Sequence, residues 1–326
     1  MRKFEELKKV IKDKRVLFVT TKNLDYIRNS QEIEALQDLA QKVTVIGSQE
    51  KSYLKRLLTV YKELFAAKMG DYDLVFVGFA PQLVLPFFGR KLKKKTLIID
   101  FFISVYDTLV LDRAKLKKGS LAAKVCHRLD EKTLAAADYI VCDTMAHGEF
   151  FAKELGAKEK KQHVLYLKAD SSIYYPKAAN IVRSDTPHRI LYFGSILPLQ
   201  GVEVILEALT YFKDRPDYTF EIIGPVPDDY HKPNLSNVTY INWLSQQDLA
   251  DHIRSADLCL AGHFSATIGK AKRTIPGKAY IYEACGRPMI LGDSPANHEL
   301  FSQDENHVFV KMGDPKALAQ AIEEFF

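Results

Sequence analysis

Residues 269–300 read GKAKRTIPGKAYIYEACGRPMILGDSPANHEL, and the parsing of this stretch decides the fold. Lys270, Lys272 and Arg273 precede a helix whose expected cap is Thr274 and whose first turn carries Pro276. The free N–H groups and positive dipole end of such a helix suit an anion, so a phosphate-bearing ligand fits here. The helix continues through the small or apolar Ala279, Ile281, Ala284 and Cys285 and stops at Gly286, after which Pro288 to Leu291 reads as a short buried strand. Glu283 falls in that apolar setting, where an unpaired carboxylate is costly, and calls for ribose or sugar hydroxyls or a cation. A second helix start follows at Ser294, Pro295 and Asn297, with Glu299 beyond it. The plainer reading is a βαβ unit with solvated lysines. Basic residues, a proline-started helix, an internal acid and a second helix start in one span favour an anion site.

Outward from this stretch, 326 residues suit two domains rather than one core. The boundary is expected at Pro176, giving an N-terminal domain of residues 1–176 and a C-terminal domain of 177–326, with a polar linker over Lys177 to His188. No apolar run reaches the length of a membrane span, and the charged start MRKFEELKK lacks a signal-peptide core, so a cytoplasmic protein is expected. The four cysteines lack C-x-x-C spacing, and no His, Asp or Cys cluster has metal spacing; adjacent Asp228 and Asp229 form no D-x-D pair. No essential metal and no cofactor are expected.

Charge divides unevenly: residues 1–170 hold 32 Lys and Arg against 22 Asp and Glu, while 171–326 hold 14 against 19. The basic half should meet something acidic. No helix-turn-helix, zinc or RNP signature accompanies the charge, so nucleic acid is not expected. An anionic membrane surface or a lipid diphosphate suits it better, because Lys51 to Lys68 places Leu54, Leu57, Leu58, Tyr61, Leu64 and Phe65 at helical spacing among lysines. The same stripe could equally face the protein core.

In the N-terminal half, Arg15 to Thr21, Val43 to Ile46, Leu74 to Val77 and Leu97 to Ile99 are short apolar runs alternating with helical stretches, among them 30–41 and 120–137. That alternation predicts a parallel doubly wound sheet, whose ligands bind beyond the carboxyl ends of the strands. Asp100, Ser104, Asp107 and Thr108 follow the fourth run, and a carboxylate there can accept a proton from a hydroxyl, position a sugar, or simply cap a turn. His147 lies in the first turn of a later helix and could reach a substrate or be structural.

In the C-terminal half, Arg189 to Phe193 begins a second sheet. Gly194 and Gly201 flank a loop that feeds the next helix and would allow close backbone approach to a phosphate. Strands over Phe220 to Ile223 and Val238 to Ile241 precede Trp243, Leu244 and Ser245.

The segment 269–300 resembles the donor-nucleotide segment of GT-B retaining glycosyltransferases, family 4 in the usual classification. The likeness is to a bacterial polysaccharide subgroup with K-A-x-R-x-I-P-x-K followed by E-A-x-x-G-x-P, filled here by Lys270, Ala271, Arg273, Ile275, Pro276, Lys278, Glu283, Ala284, Gly286 and Pro288. Residues 100–113 resemble the subgroup's F-D-x-F-I-S-x-Y-D-T-x-x-x-D-R block. The resemblance implies an α/β protein of two doubly wound Rossmann-like domains facing a cleft, with an acceptor site in the first and a nucleotide-sugar site in the second. It implies Asp100, Lys270, Arg273 and Glu283 as the catalytic group. It further implies Gly194, Ser195, Trp243, Lys278, Ser294, Asn297, Glu299 and Asp107 as substrate contacts, beside which His147 stands as a candidate from its own place on a helix.

The sequence also departs from the family. Its G-R-x-x-x-x-K-G turn has Ser195 and Gln200 for the Arg and Lys, Ile275 stands at the first Glu of E-x(7)-E, and Lys168 and Ala169 replace an Asn-Gly pair. Most relatives continue with a further helix that crosses back to the first domain, so a protein partner or the membrane is expected to assist closure. The expected activity is transfer of a sugar from a UDP- or GDP-linked donor to a hydroxyl of a glycan or lipid-linked acceptor at the inner face of the cell membrane. Two alternatives remain: a non-catalytic scaffold of the same fold, and a nucleotide-sugar epimerase.

Overall fold

A computed structural model describes residues 2–177 and 187–326 and divides into two compact units, Met1–Leu167 and Lys168–Phe326. The first holds strands β1 (Arg2–Lys3), β2 (Arg15–Val19), β3 (Lys42–Ile46), β4 (Leu74–Val77), β5 (Thr96–Asp100), β6 (Tyr139–Cys142) and β7 (Gln162–Val164). All pair in parallel, in the order β1-β7-β6-β5-β4-β2-β3. Its helices are α1 (Glu5–Ile11), α2 (Ile27–Gln37), α3 (Tyr53–Ala66), α4 (Leu85–Leu92), α5 (Leu121–Ala136) and α6 (Met145–Leu155).

Successive residues of a strand point to opposite faces, and the apolar runs use both. Leu17, Val19, Val75 and Val77 pack under α3, α4, α5 and α6, while Val16, Phe18, Leu74 and Phe76 pack under α1 and α2. The chain adds β3 on one side of β2 and then β4 on the other, so the winding reverses there. The edge strand β1 beside β7 was not expected.

The second unit holds β8 (His188–Phe193), β9 (Tyr218–Ile223), β10 (Val238–Ile241), β11 (Leu258–Gly262), β12 (Met289–Gly292) and β13 (His307–Val310). They are parallel in the order β10-β9-β8-β11-β12-β13, the strand order of the Rossmann fold. Helices α7 (Val202–Leu209) and α10 (Pro315–Phe325) cover one face; α8 (Gln246–Ser255) packs on β8 and α9 (Gly277–Ala284) on β11. The reversal of winding lies between β8 and β11.

The unit boundary falls earlier than the expected Pro176. Tyr174 is buried and its hydroxyl donates to Gln246 Oε1 (3.0 Å), Arg254 donates to the Ile173 carbonyl (3.1 Å), and Lys177 pairs with Asp251 (2.8 Å). These contacts fasten residues 173–177 to α8. The expected linker over Lys177 to His188 lies, for residues 178–186, outside the described residues, and His188 already begins β8. Among the described residues no helix is long and apolar enough to cross a membrane.

Candidate functional site

At the reversal point of the second sheet, α9 sends Lys278 into the interior. The residue is 5% exposed, and its Nζ donates to Gln200 Oε1 and lies 4.5 Å from the centroid of the Tyr192 ring. It makes no ion pair among the described residues. Burial lowers its pKa to about 7, because an ammonium removed from water without a counter-charge is expensive. The Tyr192 hydroxyl beside it is also buried and has no hydrogen-bond partner among the described residues. An amine and a hydroxyl in this state could both be satisfied by an anionic ligand.

Glycines keep this site open. A Cβ on Gly194, at the end of β8, would stand 3.2 Å from Lys278 Nζ and 3.6 Å from the Tyr192 hydroxyl. Gly201, at φ +64°, ends the loop that carries Gln200, and a Cβ there would meet Ser265 N at 2.4 Å. The loop is held to the end of β11 by Phe264 N donating to the Gln200 carbonyl (3.0 Å).

His263 follows β11 and is buried, with Nδ1 3.1 Å from the Thr274 carbonyl. Burial first, then the charges of Lys278 and Lys270, lower its pKa to about 3, so the ring is neutral. Lys270 is thus close enough for its charge to be felt in the site. Arg273 lies on the same turn with its guanidinium folded over Gly269, where a Cβ would come within 2.9 Å of Nη1.

Several expectations for this segment are corrected. Thr274 does not cap α9; its hydroxyl donates back to the Lys270 carbonyl (3.1 Å), and Pro276 occupies the cap position itself, ahead of the first turn. Glu283 is not in an apolar setting. It lies on the solvent side of α9 and pairs with His307 Nε2 (2.9 Å), because the face carrying Lys278, Ala279 and Tyr282 is the one that packs inward. Ser294 and Asn297 are buried: Ser294 Oγ accepts from Asn297 N (3.3 Å), and Asn297 Nδ2 donates to the Gly292 carbonyl (2.8 Å). Both are spent on shaping the turn after β12, although Asn297 Oδ1 keeps no partner among the described residues. That turn meets the basic segment through Ala296 N donating to the Lys272 carbonyl (3.3 Å). Glu299 is half-buried. Ser195 is exposed next to Gly194, and Trp243, 78% exposed, stands on the loop after β10.

In the first unit Asp100 ends β5 and is fully buried. Arg28 Nε and Nη2 donate to its two oxygens at 3.0 and 2.7 Å. The expected free carboxylate is therefore corrected: Asp100 neutralises a buried guanidinium and has no open face for a hydroxyl. Glu32 Oε1 is 3.6 Å from Arg28 Nε, and burial, then the Asp100 charge, raise its pKa well above the ordinary carboxylate range. Arg28 and Glu32 were not anticipated. Their i, i+4 spacing on α2 reads from sequence as a solvated surface pair.

Asp107 and His147, chosen separately, are brought together. Asp107 opens a π-helical turn (Asp107–Asp112), and its Oδ2 lies 3.8 Å from His147 Nε2, while His147 Nδ1 lies 2.8 Å from Asp143 Oδ1. The imidazole is fully buried between two carboxylates, and Asp143 is the member the sequence reading omitted. Asp130, also missed, accepts from Ser104 Oγ (2.7 Å), Gln82 Nε2 (2.9 Å) and Tyr106 N (2.8 Å), which fixes the loop leading to Asp107.

Residues 187–326 match the family model described as "Glycosyl transferases group 1". The second unit is thus similar to the domain of group 1 glycosyltransferases. Glycosyl transfer is the chemistry that such a domain carries. The whole chain superposes on HepE of Anabaena, solved in complex with UDP, with TM-score 0.67 and 16% identity over 95% of this chain and 89% of that one. Sucrose-phosphate synthase of Thermosynechococcus elongatus gives TM-score 0.65 and 14% identity over the same shares, 95% and 89%. A glycosyltransferase of Rickettsia africae gives TM-score 0.59 and 13% identity over 96% and 88%. At these identities the likeness concerns the fold, the two-domain α/β arrangement called GT-B. No curated protein sequence matches the chain.

Proposed function

We propose that the chain is a retaining glycosyltransferase of the family 4 type, acting in bacterial polysaccharide or glycolipid synthesis. It transfers a sugar from a UDP- or GDP-linked donor to a hydroxyl of a glycan or lipid-linked acceptor at the inner face of the cell membrane. The observation that carries this reading is Lys278, a buried amine without a counter-ion among the described residues, at the winding reversal of a Rossmann sheet, where an anionic ligand belongs. The diphosphate of the donor supplies the missing charge. Lys270 and Arg273, on the neighbouring turn, add positive potential where the leaving group develops its own charge. The bond from the anomeric carbon to the diphosphate oxygen breaks, the acceptor oxygen takes its place, and the acceptor's proton leaves with a base or with the departing phosphate. HepE was solved in complex with UDP and with UDP-glucose, which supports a UDP-linked donor. Retention rests on the K-A-x-R-x-I-P-x-K and E-A-x-x-G-x-P resemblance.

The test is a panel of UDP- and GDP-linked sugars incubated with the protein while release of free nucleotide diphosphate is followed. Slow hydrolysis of one of them, lost in Lys278→Ala, supports the reading. No release from any donor and no thermal shift with either nucleotide would instead support a non-catalytic scaffold.

A further inference from the structure

The helix Tyr53–Ala66 carries two apolar stripes. One, through Val60 and Leu64 together with Arg56, turns inward onto the sheet. The other, Leu54, Leu58 and Phe65 with the half-buried Tyr61 at its edge, lies about a third of a turn away and points out, with Phe65 82% exposed. The sequence reading merged the two; the fold separates them. Phe87 of α4 extends the outer stripe: it is 71% exposed, and its ring centroid is 5.5 Å from that of Tyr61. Lys91 locks the two helices together by donating to the carbonyls of Leu64 (2.7 Å) and Phe65 (2.8 Å). Helix α5 packs beside α4 in the same layer and exposes Leu121 and Val125.

Exposed basic residues lie on and just beyond these helices, among them Lys51, Lys55, Lys62, Arg90, Lys93 and Lys94. Residues 51–95 hold ten Lys and Arg against three acids, and residues 113–125 hold five against none. Large exposed side chains in a row across neighbouring helices are unusual on a soluble surface, and a rim of one sign of charge specifies the partner. We propose that the outer face of α3, α4 and α5 docks on a bilayer rich in acidic phospholipid, with Leu54, Leu58, Phe65 and Phe87 entering the interface and the lysines contacting the headgroups. This deepens the membrane-side reading above by naming the surface, and it is testable without any reference to glycosyl transfer.

The experiment is co-sedimentation of the full chain with vesicles of phosphatidylcholine alone and of phosphatidylcholine mixed equally with phosphatidylglycerol. Binding to the acidic vesicles only is expected, weakened by salt. Leu58→Ser, Phe65→Ser and Phe87→Ser combined should reduce it roughly tenfold or more, with the melting temperature retained because all three side chains are exposed. Lys93→Gln with Lys94→Gln should weaken binding to acidic vesicles by at least about threefold. Wild-type protein left in the supernatant at low salt, or a triple variant that binds like wild type, overturns the proposal. So does a dimer in solution that the triple variant dissociates while no vesicle binding is seen. UDP binding measured on the same samples separates a failure here from a failure of the transferase reading.

Discussion

Lys278 combines a stability cost with a binding role, and the sign of its titration connects them. Its pKa in the fold is lowered to about 7, whereas in the unfolded chain a lysine titrates near the ordinary 10.5. Between those values the unfolded chain binds more protons, so ligand-free stability contributed by this group rises from pH 7 to pH 10, and the penalty is complete below 7. At pH 7 that penalty is on the order of 5 kcal/mol, partly offset by Gln200 and the Tyr192 ring. Lys278→Met should therefore raise the melting temperature of the ligand-free protein near pH 7, an advantage that fades by pH 10 in a melting series. Donor affinity should run the other way, weakening by up to about tenfold per pH unit above 7 as the ammonium is lost. In the first unit, Asp100→Asn removes the carboxylate that takes two hydrogen bonds from Arg28 and leaves only Glu32, 3.6 Å from Nε, as counter-charge; it should cost on the order of 3 kcal/mol in urea denaturation. Glu32→Gln, which replaces a carboxyl held near its neutral form, should cost far less. The resemblance of residues 100–113 to the family block singles out Asp100, and the residue does end β5, as the strand-end reading has it. That reading could not see that a guanidinium 72 positions away had claimed both oxygens. For Glu283 the reading took apolar neighbours in sequence as burial, but the outward side of α9 delivers it to His307.

The loop from Gly194 to Gly201 and the start of α9 act as a unit, because the loop positions Gln200 and the helix positions Lys278. Gly201→Ala should lower stability by about 2 kcal/mol or more, through a left-handed φ and a Cβ 2.4 Å from Ser265 N. It should also weaken UDP binding; unchanged melting and unchanged affinity would show that the loop tolerates displacement. Most elements were readable in advance. The apolar runs at Arg15, Leu74 and Leu97 became β2, β4 and β5, since a parallel strand buried on both faces leaves an unbroken hydrophobic signature. The helix starts were less so. Thr274 had the composition of a cap but bonds to its own preceding turn, a choice made by tertiary contacts rather than by local preference. The two stripes of α3 were indistinguishable from sequence, because inward and outward apolar residues share one chemistry.

At the scale of the whole chain, two doubly wound units follow from length and from the strand-helix alternation. The boundary lies before the proline that marked it because Tyr174 and Lys177 join α8. The excess of positive charge in the first half is concentrated in residues 51–95 and 113–125, and the second half keeps Lys278 inside. The central claim is that Lys278 receives the diphosphate of a nucleotide-sugar donor. Calorimetric titration of UDP into wild-type protein and Lys278→Met at pH 7 tests it most directly. Saturable binding by the wild type, weakened at least about a hundredfold in a variant that melts no lower, is the predicted result. Equal affinity in the two proteins would contradict it.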